Sequence, residues 1–214
     1  MNNWIEALIV LVVLTNLRLL GTSRLIACIR IVAFQGILLG VLPLLFHAND
    51  LTLRVMLQAA ASTFTKGVVF PWLLSRAVRE ADVRRELEPI IGYTSSLLIG
   101  CVLLGTALYV GWRLPLPGTA STPFMVPAAL FTMMVGLFTI VARRKALTQV
   151  LGYLAMENGI YTFGLAFAEK EPLLVEMGIL LDVFVAVFVM GITIYHINRE
   201  FDHIDTDQLS SLKD

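Results

Sequence analysis

Apolar residues in this chain fall into long blocks separated by short polar joints. The blocks run from about Trp4 to Leu20, Leu25 to Phe46, Leu51 to Leu74, Ile90 to Trp112, Phe124 to Ala142, Ala146 to Ala168 and Leu173 to Ile197. A helix that crosses a bilayer needs ~20 mostly apolar residues, and each block is near that length. The pattern predicts an all-α, polytopic membrane protein with about seven transmembrane helices. The third block is the least apolar, because it carries Arg54, Gln58 and Lys66.

The joints add detail. Ser75 to Pro89 is rich in arginine and acidic residues, and Arg76–Glu80 and Arg84–Glu88 have the i,i+4 spacing of a short interfacial or solvated helix. Arg113 to Pro123 reads as a loop by its proline and glycine content, and Asn198 to Asp214 as a polar tail. The expected organisation is a four-helix membrane region over 1–123, a three-helix region over 124–199 and a tail over 200–214.

With this helix count the joints alternate sides. One side collects Arg18, Arg24, Arg76, Arg79, Arg84, Arg85, Arg143, Arg144, Lys145, Arg199 and Lys213; the other holds Arg54, Arg113 and Lys170. Basic residues favour the cytoplasmic side, so the N-terminus is expected outside and the C-terminus in the cytoplasm.

Composition agrees with the block pattern: 57% of the 214 residues are apolar and 15% charged, and mean hydropathy is +0.81. A net charge of zero without a basic tract argues against a nucleic-acid partner. Cys28 and Cys101 sit inside apolar runs and read as small buried hydrophobes. The scattered histidines and the lack of a C-x-x-C spacing offer no set of ligands for an iron–sulfur cluster or nickel. The first block lacks a basic leader and a cleavage motif and contains Glu6, so it is expected to be a retained helix.

Ionisable groups far from either interface carry the candidate chemistry. At 1.5 Å per residue, Glu157 lies ~15 Å into the sixth block, Asp182 ~15 Å into the seventh and Lys66 ~13 Å from the inner end of the third. The hydrocarbon core is ~30 Å thick, so all three are expected near its middle. A charge there costs roughly 2.5–3.5 kcal/mol on insertion scales, and such groups usually face the bundle interior and mark ion or proton paths. Desolvation and a neighbouring lysine act on a carboxyl in opposite senses, the competition a proton relay needs. The alternative is a lysine–carboxylate pair that only fixes packing. Arg18, Arg30 and Arg54 lie nearer helix ends and can snorkel. His196 and His203 read as solvated residues, and Glu176 lies within reach of the outer surface. Gly152, Gly159 and Gly164 permit close helix approach.

Three features together resemble a known family: Arg143-Arg144-Lys145, the string from Gly152 through Glu157-Asn158-Gly159-Ile160-Tyr161, and Asp182 in the following block. Over about Phe124 to Arg199 the chain resembles the small three-helix K-type subunit of respiratory complex I and its Mrp antiporter C relatives. Over its whole length it resembles component E of hydrogenase-4. One departure matters. Where the complex I subunit has its first carboxylate, this chain has Leu154; Glu157 follows three residues later on the same helix face. The second carboxylate is Asp182 in place of the family's usual Glu.

The resemblance implies a subunit with no cofactor of its own, in a bacterial or archaeal inner membrane. Nickel–iron and iron–sulfur centres would belong to partner subunits. The partners would be other membrane-arm subunits, antiporter-like ones included, with the bilayer around them. Glu157 and Asp182 would be protonatable stations, and Lys66 would tune them or extend the path. A stand-alone small transporter and a structural scaffold remain as alternatives. A fainter pattern points to a duplication. Ala33-Phe34-Gln35-Gly36-Ile37 is similar to the Glu157 segment, with Gln35 where Glu157 stands, and Lys66 is about as deep as Asp182. A parallel repeat offset by four helices is topologically allowed.

Overall fold

Helix is the economical conformation for a chain this apolar, because each backbone N–H then finds a carbonyl within its own segment. The computed structural model describes residues 2–46, 52–80, 90–114 and 123–166. Among them the elements are all helical: α1 (Asn2–Leu20), α2 (Leu25–Phe46), α3 (Leu53–Phe64), α4 (Phe70–Glu80), α5 (Tyr93–Arg113), α6 (Met125–Ala142) and α7 (Ala146–Ala166). A π-helical turn, Thr65–Val69, joins α3 to α4. The expected seventh helix, with Asp182 and Glu176, and the tail, with His196 and His203, lie outside the described residues. The duplication and the Arg84–Glu88 pair therefore lie partly or wholly outside them as well.

Among the described residues, four helices are long and apolar enough to cross a membrane: Asn3–Leu20, Leu25–Phe46, Tyr93–Arg113 and Met125–Ala142. They match the first, second, fourth and fifth apolar blocks. Helix α7 is 21 residues long, but Gln149, Glu157 and Asn158 dilute its apolar character.

Two expectations are corrected. The third helix does not stop at Leu74, before a separate helix beginning at Ser75. It continues through Glu80, because Ala77 and Val78 extend the buried face begun by Phe70 and Leu74. Cys101 is exposed, whereas Cys28 is buried. Helix α5 buries chiefly its small residues Ser96, Gly100, Ala107 and Gly111, and Cys101 lies on its outer face.

The π turn follows from the spacing of buried positions. Ser62, Lys66, Phe70 and Leu74 are all buried at successive four-residue steps. On an α-helix each such step drifts about 40°, so the four residues would spread across roughly 120° of the surface. The wider turn absorbs that drift; its signature is the Phe70 N–H donating to the Thr65 carbonyl. Pro71 has no N–H to give the Gly67 carbonyl, which further disfavours regular α geometry here.

Helices α6 and α7 touch backbone to backbone. A Cβ on Gly152 would lie 2.9 Å from the Gly136 oxygen, and one on Gly159 would lie 2.6 Å from the Met133 nitrogen. Both glycines therefore do what helix-packing chemistry predicts. The core divides into two apolar clusters. One contains Leu20, Leu25, Ile29, Phe70, Leu74, Phe131 and Leu151. The other contains Ile5, Ile9, Leu39, Leu42, Met125 and Tyr161.

Candidate functional site

Between the two apolar clusters lies a layer of buried polar side chains. Helix α1 supplies Asn16, α2 Gln35, the π turn Lys66, α6 Thr132, and α7 Glu157 and Asn158; none is more than 3% exposed. On α1, α2 and α7 the layer falls where the helix passes from one cluster to the other.

The ionic part is a single contact. Lys66 Nζ donates to Glu157 Oε1 at 2.6 Å, with the two side chains 3% and 1% exposed. Depth arithmetic had set these residues at nearly one level from opposite chain directions, and the structure joins them. The lysine ammonium also lies 4.6 Å from the centre of the Tyr161 ring, an attraction that strengthens when water is excluded. Gly36 lets the lysine backbone approach α2, since a Cβ there would sit 2.6 Å from Lys66 Cβ.

The uncharged part is a directional amide chain. Asn158 Nδ2 donates to Gln35 Oε1 at 3.2 Å, Gln35 Nε2 to Asn16 Oδ1 at 3.0 Å, and Asn16 Nδ2 to Thr132 Oγ1 at 2.7 Å. Thr132 passes the last donor to the Ala128 carbonyl at 2.7 Å. The chain ties four helices together. Buried amides are held in place strongly because an unmade bond costs ~1–3 kcal/mol.

Residues of the Glu157 string thus have partners beyond their own helix: Glu157 and Tyr161 meet Lys66 of the π turn, Asn158 meets α2 and Gly159 meets α6. Beside the ion pair is a cavity of about 10 Å³, bordered by Val32, Phe70, Leu154, Glu157 and Asn158. That is room for about one water molecule. Leu154 and Glu157, three residues apart on α7, border the same cavity. Chemically, a lysine–glutamate contact holds one transferable proton; moving it from nitrogen to oxygen leaves two neutral groups and no net change of charge.

Of the residues singled out from sequence, the structure joins Lys66 to Glu157 and sets Gln35 one hydrogen bond from the neighbouring Asn158. Asp182 lies outside the described residues. Sequence reasoning missed Asn16, Thr132 and the roles of Asn158 and Tyr161. An asparagine amid the apolar first helix was the available signal. It also read Arg143 as part of a basic joint and of the Arg143-Arg144-Lys145 string, not as a buried group. Arg143 is buried: it donates to the Leu20 carbonyl at 3.0 Å and the Ile91 carbonyl at 3.2 Å, and lies 4.4 Å from the Tyr93 ring centre.

Residues 124–214 match the family described as NADH-ubiquinone/plastoquinone oxidoreductase chain 4L. An uncharacterized protein of Mycobacterium tuberculosis is 34% identical over 203 residues, covering 94% of this chain and 92% of its own. Hydrogenase-4 component E of Escherichia coli (strain K12) is 28% identical over 172 residues, covering 80% of this chain and 78% of its own. No solved structure matches the chain. The apolar helices and these matches define the class, a membrane protein related to complex I chain 4L, and support a membrane subunit of a complex I-like assembly. Within that class, the chain belongs to the hydrogenase-4 component E family.

Proposed function

We propose that this chain is the non-redox membrane subunit of an energy-converting, group 4 hydrogenase-like complex and carries part of its proton or sodium path. The observation that supports the reading best is the Lys66–Glu157 pair, buried in a polar layer between two apolar clusters. Opposite charges held away from water are costly to keep, and in membrane helices they commonly mark ion paths. In this reading Glu157 and Asp182 are protonatable stations. Lys66 sets when Glu157 takes up a proton, and Gln35 orients the Asn158 side of the site without carrying charge. Redox metals belong to partner subunits, and antiporter-like subunits of the membrane arm adjoin this one in the cytoplasmic membrane.

The test is proton uptake by inverted vesicles carrying the whole complex, measured together with subunit stoichiometry. Glu157→Gln and Asp182→Asn are each expected to lower uptake severalfold while the complex stays assembled. Normal uptake in both variants would remove the relay and leave a scaffold, a reading favoured by the amide chain and by Arg143. Uptake by the chain reconstituted alone would instead identify a self-sufficient transporter.

A further inference from the structure

Alongside the buried pair, α2 and the α4 end of the third helix leave a lengthwise groove of about 540 Å³. Its apolar wall includes Ile26, Ala33, Phe34, Ile37 and Pro71. Phe34 and Ile37 are 46% and 41% exposed, so the groove opens sideways from the bundle. Its basic end carries Arg30, Ser75 and Arg79. Both guanidiniums are exposed, and among the described residues neither has a carboxylate within ion-pair distance. Arg79 Nε donates to the Ser75 carbonyl of its own helix, at 3.2 Å. Among the described residues no acidic side chain lines the groove.

Length and charge together select the occupant. Helix α2 rises ~16 Å from Ile26 to Ile37 at 1.5 Å per residue, and one leaflet is about half of a ~30 Å hydrocarbon core. From Arg30 the groove therefore runs ~10 Å to Ile37, within one leaflet, and among the described residues neither of its arginines has a carboxylate partner. Arginine's planar fork binds phosphate oxygens in pairs.

We propose that the groove binds one anionic phospholipid, its phosphate between Arg30 and Arg79 and an acyl chain along Phe34 and Ile37. The groove shares Ile29, Ala33 and Pro71 with the cavity beside Lys66 and Glu157. A bound acyl chain therefore covers the lateral side of that cavity and keeps bilayer water from it. The proposal needs the helices to lie in a membrane but does not depend on ion movement, so the lipid test and the uptake test fail separately.

The experiment uses the whole complex, purified in neutral detergent and titrated with phosphatidylglycerol or phosphatidylcholine. Bound lipid is counted by mass spectrometry. Phosphatidylglycerol is expected to remain at about one molecule per chain and to resist exchange for phosphatidylcholine. Arg30→Gln with Arg79→Gln should weaken its retention roughly thirtyfold, the effect of two basic residues on an anionic headgroup. Arg24→Gln, at the same end but outside the groove, should leave retention unchanged. Competition by inorganic phosphate alone, equal retention of both lipids, or undiminished retention in the double variant would overturn the proposal. Loss of a partner subunit from that variant, with lipid unchanged, would reassign the groove to a protein interface. If the double variant does not assemble, the native titration decides.

Discussion

Lys66 and Glu157 neutralise each other where neither reaches water. Removing one partner strands the other's charge, so Lys66→Met is expected to destabilise the chain by ~3–5 kcal/mol, read as a lower unfolding midpoint in detergent. Adding Glu157→Leu removes both charges, and stability should return close to native because well-packed apolar groups often replace a buried pair without loss. Ion uptake should not return. A double variant that pumps normally would assign the pair to packing alone. Gln35→Leu leaves Asn158 and Asn16 each short of a partner and should cost ~1–3 kcal/mol, with the ion pair intact. At this scale the charged residues were legible, because a charge in an apolar block needs an explanation. Asn16 and Tyr161 were not, since an amide or phenol is cheaper to bury and its meaning depends on what it meets.

The element that presents the lysine is held by close backbone contact. Gly36 faces Lys66 so tightly that any larger residue must push α2 off the π turn. Gly36→Val is expected to cost ~1–3 kcal/mol by overpacking and to reduce ion uptake. Gly105 has nothing within 4 Å of an added Cβ, so Gly105→Ala should change neither and serves as the control. Equal effects at both positions would show that helix propensity, not contact, is being measured. Helix starts were readable from the apolar blocks to within a few residues. The π turn was not read, although Pro71 and the run of four-residue spacings were both present. Neither identifies a π turn until Ser62, Lys66, Phe70 and Leu74 are known to share a buried face.

Among the described residues, two apolar clusters are separated by a polar layer to which α1, α2, the π turn, α6 and α7 contribute. The distribution of basic residues among the joints predicts an outer N-terminus and a cytoplasmic C-terminus. Cysteines introduced at Ser121 and Ser210 test it. In a background where exposed Cys101 is replaced by serine, Ser121→Cys should react with an impermeant reagent from outside, and Ser210→Cys only after permeabilisation. Labelling of both from one side would remove a helix from the count.

What the sequence determined alone is the kind of molecule and the shared level of two of its charges. Both depend on counting along one axis: ~20 apolar residues make a span, and 1.5 Å per residue sets the level of Lys66 and Glu157. What the tertiary structure decided is which groups at that level meet. The Lys66–Glu157 contact joins residues 91 apart, and Asn16 finds Thr132 across 116. Arg143, one of three consecutive basic residues, is drawn inward by the Leu20 and Ile91 carbonyls. Residue spacing sets depth, but the rotation of each helix and the choice of its neighbours come from packing, and those two quantities determine whether a buried polar group has a partner.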